Sequence, residues 1–226
     1  MQYPRSAEEP DGEMTSENRY PIPAGRKRVT DVIKGSRFIT TVACASDVDE
    51  AKSFVAQIKN EFSDATHNCW AYVVGPPGST VQANSSDDGE PGGTAGLPIL
   101  NVLLKSGIGD LVVVVTRYFG GIKLGRGGLA RAYGGGARRV LREVALAERV
   151  ALASLELSVD YPAVEAIRRL TAAFEGSVTR ESFGEAAVFE VEIPLERLET
   201  FEKDLREMTS GRAKLRRRTA DDDEQD

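Results

Sequence analysis

The chain of 226 residues holds one histidine and two cysteines, and each scarcity removes a class of function. Every Ser-His or Cys-His nucleophile scheme would have to use His67, the single histidine. Cys44 and Cys69 lie in separate apolar, strand-like runs, too few for the disulfide framework of a secreted protein. Reduced, buried thiols in the cytosol are therefore expected. No apolar run approaches the roughly 18 residues of a membrane helix, so no membrane contact is expected. The first residues, MQYPRSAEEPDGEMTSENRYPIP, lack the apolar core of a secretory signal.

The most local absence is of acid. Residues 111–142 contain no Asp or Glu, although the whole chain has a formal net charge of −6. Arg117, Lys123, Arg126, Arg131, Arg138, Arg139 and Arg142 fall in that stretch, a local +7 that points to an anionic partner or to an internal acidic face. The terminal DDDEQD carries five of the negative charges, so the remainder is near −1 and overall acidity says little about the folded surface.

What is present reads as two domains. Residues 37–45 (RFITTVACA) suit a strand, and Ser46-Asp47 offers an N-cap to a helical pattern through Val48, Ala51, Val55, Ile58 and Phe62. CWAYVVG is the next strand, residues 76–96 are too rich in Gly, Pro, Ser and Asp for regular structure, and residues 97–105 form a short helix. DLVVVVT, apolar without alternation, reads as a central strand. A second long helix follows over residues 127–147, with Leu129, Tyr133, Ala137, Val140 and Val144 on one face. From Ala153 the pattern restarts as βαββαβ, the ferredoxin-like order. The expected organisation is a disordered leader (1–22), a first α+β domain (23–147), a linker (148–152), a ferredoxin-like domain (153–218) and an acidic tail (219–226).

Two loops carry the candidate chemistry. GRGGLA, residues 125–130, has the letters of a dinucleotide fingerprint but stands about eight residues from the preceding strand, and no Gly-Lys-Ser/Thr closes a Walker loop. What remains is an anion site built from glycine amides and cations at a helix start: Arg117, Gly120, Gly121, Lys123, Gly125, Arg126, Gly127, Gly128 and Arg131. The competing reading is a tight loop whose glycines only adopt positive φ. Gly134, Gly135 and Gly136 lie inside the helix, where each costs on the order of 1 kcal/mol relative to Ala, so close packing against the sheet is expected and Gly135→Val should overpack. The second loop, SSDDGEPGGTAG, offers Asp87, Asp88 and Glu90. These acids serve a solvated turn, meet the cationic loop, or supply an acid or base. Their spacing is not that of an EF-hand, and neither a metal nor another cofactor is expected. His67 and Cys69, i and i+2 on a strand, sit about 6–7 Å apart at the backbone, long for a direct pair.

Four ordered stretches resemble the IMPACT/YigZ family: SRF at 36–38, HNCWAYVVG at 67–75, SDDGEPGGTAGLPIL at 86–100 and VVVTRYFGGIKLGRGGLARAYGGG at 113–136. Asn68 departs from the pattern, since many relatives carry a second histidine there. The resemblance implies a first domain similar to the second domain of a small-subunit ribosomal protein and a ferredoxin-like second domain similar to one in elongation factor G. It also implies translation-linked regulation and stress response, since eukaryotic relatives bind the activator of an initiation-factor kinase. Three functions follow as expectations: RNA or ribosome binding through the Gly/Arg loop, a small hydrolase using the acidic loop, or a regulator binding only protein.

Overall fold

The computed structural model describes residues 18–218. The chain divides into two compact units between Glu148 and Arg149. Most of the expected leader (1–17) and all of the expected acidic tail (219–226) lie outside the described residues.

The first unit is built on a five-stranded antiparallel sheet. Its strands are β2 (Lys27–Ile33), β3 (Ser36–Cys44), β4 (His67–Val74), β5 (Gln82–Ser86) and β6 (Leu111–Tyr118), in the order β2-β3-β6-β4-β5. β6 is central and covered on both faces, which is why it reads as an unbroken apolar run. Val112 and Val114 pack with Ala51, Val55 and Ile58 of helix α1 (Val48–Glu61). Val113 and Val115 pack on the opposite face with Ile99 and Leu103 of α2 (Gly96–Leu104) and with Leu129, Tyr133 and Val140 of α3 (Arg126–Glu143). Asp47 caps α1, its carboxylate accepting from the Glu50 amide at 2.7 Å.

Several expectations are corrected. The expected leader (1–22) overlaps β1 (Arg19–Pro23), which pairs with β7 (Leu146–Val150), a strand that reaches into the expected linker, and Tyr20 is buried with its hydroxyl donating to Asp110 at 2.9 Å. The loop over residues 76–96 contains β5, whose QANSS sequence has no aliphatic run and is held by its ladder to β4. Cys44 is exposed rather than buried. Of the three helical glycines, only Gly136 meets the sheet: a Cβ there would lie 2.4 Å from Thr40 Oγ1, whereas one on Gly135 would meet nothing within 4 Å. Gly135→Val is thus not an overpacking substitution.

The second unit has strands β8 (Leu152–Val159), β9 (Ser177–Phe183), β10 (Ala187–Pro194) and β11 (Lys214–Arg217) in the order β11-β8-β10-β9. With α4 (Val164–Ala173) and α5 (Leu198–Met208) this is the ferredoxin-like arrangement. Leu155, Leu157, Phe189 and Val191 face the helices and pack with Ile167 and Phe201. Alternation turns Ser154, Glu156, Ser158, Glu190 and Glu192 to the other face, which therefore offers no aromatic platform for a base. Together the units form a mixed α+β fold.

Candidate functional site

The acidic loop meets the central strand and α3 beneath the surface of the first unit. Arg117, near the end of β6, shares the face of Val113 and Val115 and so points toward α3 rather than solvent. Its Nη1 donates to Glu90 Oε1 at 2.6 Å, and the side chains are only 6% and 3% exposed. Tyr133 Oη of α3 donates to the same oxygen at 2.7 Å. Arg117 Nη2 donates to Ser36 Oγ at 3.3 Å, while its guanidinium lies 5.4 Å from the Phe38 ring centroid and 5.6 Å from that of Phe119. Arg117, expected among the phosphate contacts, is a buried strut instead.

The other acids are also held internally. Asp87 accepts from the amides of Gly93, Ala95 and Gly96 at 2.7–2.8 Å, which closes the loop and supplies the start of α2 with the acceptor that Ala95 cannot provide. Burial pushes its carboxyl up, but these amides and that of Thr94 outweigh burial and hold it below the usual value. Asp88 accepts from Lys59 Nζ at 2.6 Å and from the Asn68 amide at 2.7 Å. Burial raises its carboxyl too, and Lys59 with the Asn68 amide brings it below the usual value.

His67 and Cys69 do not form a pair. His67 Nδ1 lies 2.8 Å from the Asp88 carbonyl oxygen, and Cys69 Sγ donates to the Asp87 carbonyl at 3.0 Å. Burial pushes the Cys69 thiol up to about 12, so it is no ready thiolate. The His67 Nε2 lies 3.9 Å from Glu90 Oε1, at the edge of the buried cluster. Asn68 takes part by accepting from Thr116 Oγ1 at 2.7 Å and donating to the Phe62 carbonyl at 3.3 Å. Among the described residues no group of three or more His, Cys, Asp and Glu side chains comes together to hold a metal.

Above this buried framework lies an exposed cationic surface. Lys123, Arg126 and Arg131 are exposed, as are the side chains of Phe119 and Ile122 on the loop that leads into α3. Arg126 Nη2 donates to the Gly92 carbonyl at 2.8 Å, tying the start of α3 to the acidic loop. Gly125 precedes α3 with φ 72° and gives no side-chain cap, so the first amides of the helix are not capped by a side chain. Gly121 also takes a positive φ, while Gly120 serves a different purpose. A Cβ on Gly120 would lie 1.9 Å from the Gly35 carbonyl carbon, and its amide donates to Ser36 Oγ at 3.1 Å. Gly120 therefore lets the loop touch the β2–β3 turn. That contact helps place Lys34, which sequence reasoning missed, beside Gly128 and Arg131 in a shallow pocket of about 290 Å³. Gly127 is exposed and has only the Arg131 guanidinium within 4 Å of a hypothetical Cβ.

Residues 34–141 match the Impact N-terminal domain, and residues 157–212 match a domain of unknown function, DUF1949. The IMPACT family member YigZ of Escherichia coli is 38% identical over 86% of this chain and 95% of its own length. The chain belongs to the IMPACT family. The IMPACT family member YvyE of Bacillus subtilis is likewise 38% identical, over 82% of this chain and 84% of its own. A solved structure titled as that of a hypothetical protein matches with a TM-score of 0.66 at 36% identity, covering 90% of this chain and 98% of the other. The buried strut and the exposed loop both fall within the Impact N-terminal match. No helix among the described residues is long and apolar enough to cross a membrane.

Proposed function

We propose that this IMPACT family member is a cytosolic, translation-linked regulator whose first unit binds RNA or the ribosome through the loop before α3 and the first turns of that helix. The observation that carries the reading is the separation of charge. Every acid of the neighbouring loop is turned inward to a partner, whereas Lys123, Arg126, Arg131 and Lys34 remain at the surface beside the side-chain-uncapped start of α3. Such a surface attracts phosphates, and the exposed Phe119 adds a face on which an unpaired base can stack. The internal commitments of Asp87, Asp88 and Glu90 favour this reading over the hydrolase.

The test is binding of short single-stranded RNAs of different sequence, measured by fluorescence anisotropy across salt concentrations. Lys123→Glu with Arg131→Glu should weaken all of them by a similar factor and lower the salt slope by about one unit per lost phosphate contact. These two residues suit the test better than Arg126, which also holds the Gly92 carbonyl. Salt-insensitive binding, or binding unchanged by the double reversal, rejects the nucleic-acid reading.

A further inference from the structure

A second surface of the first unit shares no residue with the loop described above. Helices α2 and α3 lie side by side and leave a groove of about 590 Å³ between them. Gly134 keeps it open. A Cβ at Gly134 would stand 3.5 Å from Arg138 Nη1, 3.5 Å from the Pro98 carbonyl oxygen and 3.8 Å from Val102 Cγ2, so a larger side chain there would have to project into the groove beside Arg138. The apolar part of the lining includes Val102, Ile108, Ala130 and Leu141.

The groove is charged on both sides and with one sign. Lys105 comes from the end of α2, and Arg138 and Arg142, one turn apart, come from α3. All three are exposed, and among the described residues none of them has a carboxylate within ion-pair distance. Arg139, by contrast, pairs with Asp31 and with Glu143. No acidic side chain lines the groove. This is a surface with two requirements, apolar filling below and negative charge above.

We infer that the α2–α3 groove is a docking site for an acidic protein segment whose apolar side chains fill the floor while its carboxylates meet Lys105, Arg138 and Arg142. From Ala130 to Arg142 the floor runs along α3 for about 18 Å, which accommodates about five residues of extended chain. The lining holds no aromatic residue to stack a base, which favours a peptide over RNA as the occupant. Carboxylates at the rim would add steering and specificity, and the apolar anchors would hold the complex.

The experiment pans a random peptide library against the full chain, then measures labelled copies of the enriched peptides by anisotropy. Enriched sequences should combine Asp or Glu with Leu, Ile, Val or Phe. Reversing Lys105, Arg138 and Arg142 to Glu should weaken them about tenfold at low salt. Gly134→Leu, which fills the floor beside the Arg138 guanidinium without changing the net charge, should weaken them as well. Lys123→Glu with Arg131→Glu should leave them unchanged, so failure here is separable from failure of the RNA reading. Thermal melts of each variant establish that it is folded. The inference is overturned if panning enriches no acidic-apolar sequences, or if folded groove variants bind the peptides as the parent does. It is also overturned if the same variants weaken a labelled oligouridylate and not the peptides, which would assign the groove to nucleic acid.

Discussion

Arg117 and Glu90 form an almost wholly buried ion pair across 27 residues of sequence, joining the central strand to the acidic loop at 2.6 Å. Tyr133 donates to Glu90 from α3 and Ser36 accepts from Arg117 at the start of β3, while Arg117 Nε is buried without a hydrogen-bond partner. The pair fixes the acidic loop to the strand from which the cationic loop departs. Such a pair is costly to break from one side, because the surviving charge stays buried without its counter-ion.

Glu90→Leu should therefore destabilise the first unit by about 3–5 kcal/mol, read as a shift in the denaturant midpoint at unchanged slope. Arg117→Met combined with Glu90→Leu should recover most of that loss, since no orphan charge remains. Tyr133→Phe, which removes one donor to Glu90, should cost about 1 kcal/mol. A double variant as unstable as the single one would show that the pair itself, rather than relief from a lone charge, holds the loops together.

Two neighbouring glycines in α3 should respond with opposite sign. Gly136→Ala places a Cβ 2.4 Å from Thr40 Oγ1, on a stiff β-branched side chain within the sheet, and should destabilise by roughly 1–3 kcal/mol. Gly135→Ala meets nothing within 4 Å and should stabilise by up to about 1 kcal/mol through helix propensity and the unfolded chain. Chemical denaturation of both variants decides the matter. Equal destabilisation would mean that α3 sits differently on β3.

These cases mark how far the sequence could be read. The central position of β6 was legible because its Val112–Val115 run has no polar alternation, and both of its faces are covered. The inward turn of Arg117 was legible in principle from the same strand, since it is two residues beyond Val115 and shares that face. A cation by itself suggests solvent, whereas the two-residue period of the strand places it in the core. Gly136 likewise lies three residues after Tyr133 and four before Val140, on the apolar stripe, while Gly135 does not. β5 was not legible, because an edge strand reading QANSS is held by backbone bonds to β4 that no side-chain pattern announces. The partner of Glu90 was legible only as one alternative, that the acids meet the cationic stretch, since nothing local to residue 90 indicates which cation a strand 27 residues later will present.

Acid should weaken the first unit through Glu61. Its carboxylate accepts from Arg28 at 2.5 and 2.8 Å and from Arg26 at 2.7 Å. The Arg28 hydrogen bonds first, and that of Arg26 with the charges of both, carry the carboxyl from its ordinary 4.5 down to about 2 despite the opposing effect of burial. The folded value lies below the unfolded one, so the contribution is fully present above about pH 4.5 and is lost as pH falls toward 2. Glu61→Gln should lower stability at neutral pH and flatten its decline across that window. A parallel decline in parent and variant would show that Glu61 has no such linkage.

The two cysteines should differ sharply toward alkylation. Cys44 ends β3 and is exposed, whereas Cys69 is buried in the core face of β4 with its thiol donating to the Asp87 carbonyl. Burial drives the Cys69 thiol up to about 12, leaving almost no thiolate at mildly alkaline pH, and the surrounding side chains also exclude reagent. Treatment of the native protein with N-ethylmaleimide should therefore label Cys44 alone, and Cys69 should react only after denaturant opens the first unit. Cys44→Ser should abolish native labelling and leave the slower, denaturant-dependent reaction in place. Mass spectrometry of the modified peptides distinguishes the sites. Fast labelling of Cys69 in folded protein would mean that the acidic loop opens readily, and the buried framework under the cationic surface would then be a mobile cover rather than a fixed support.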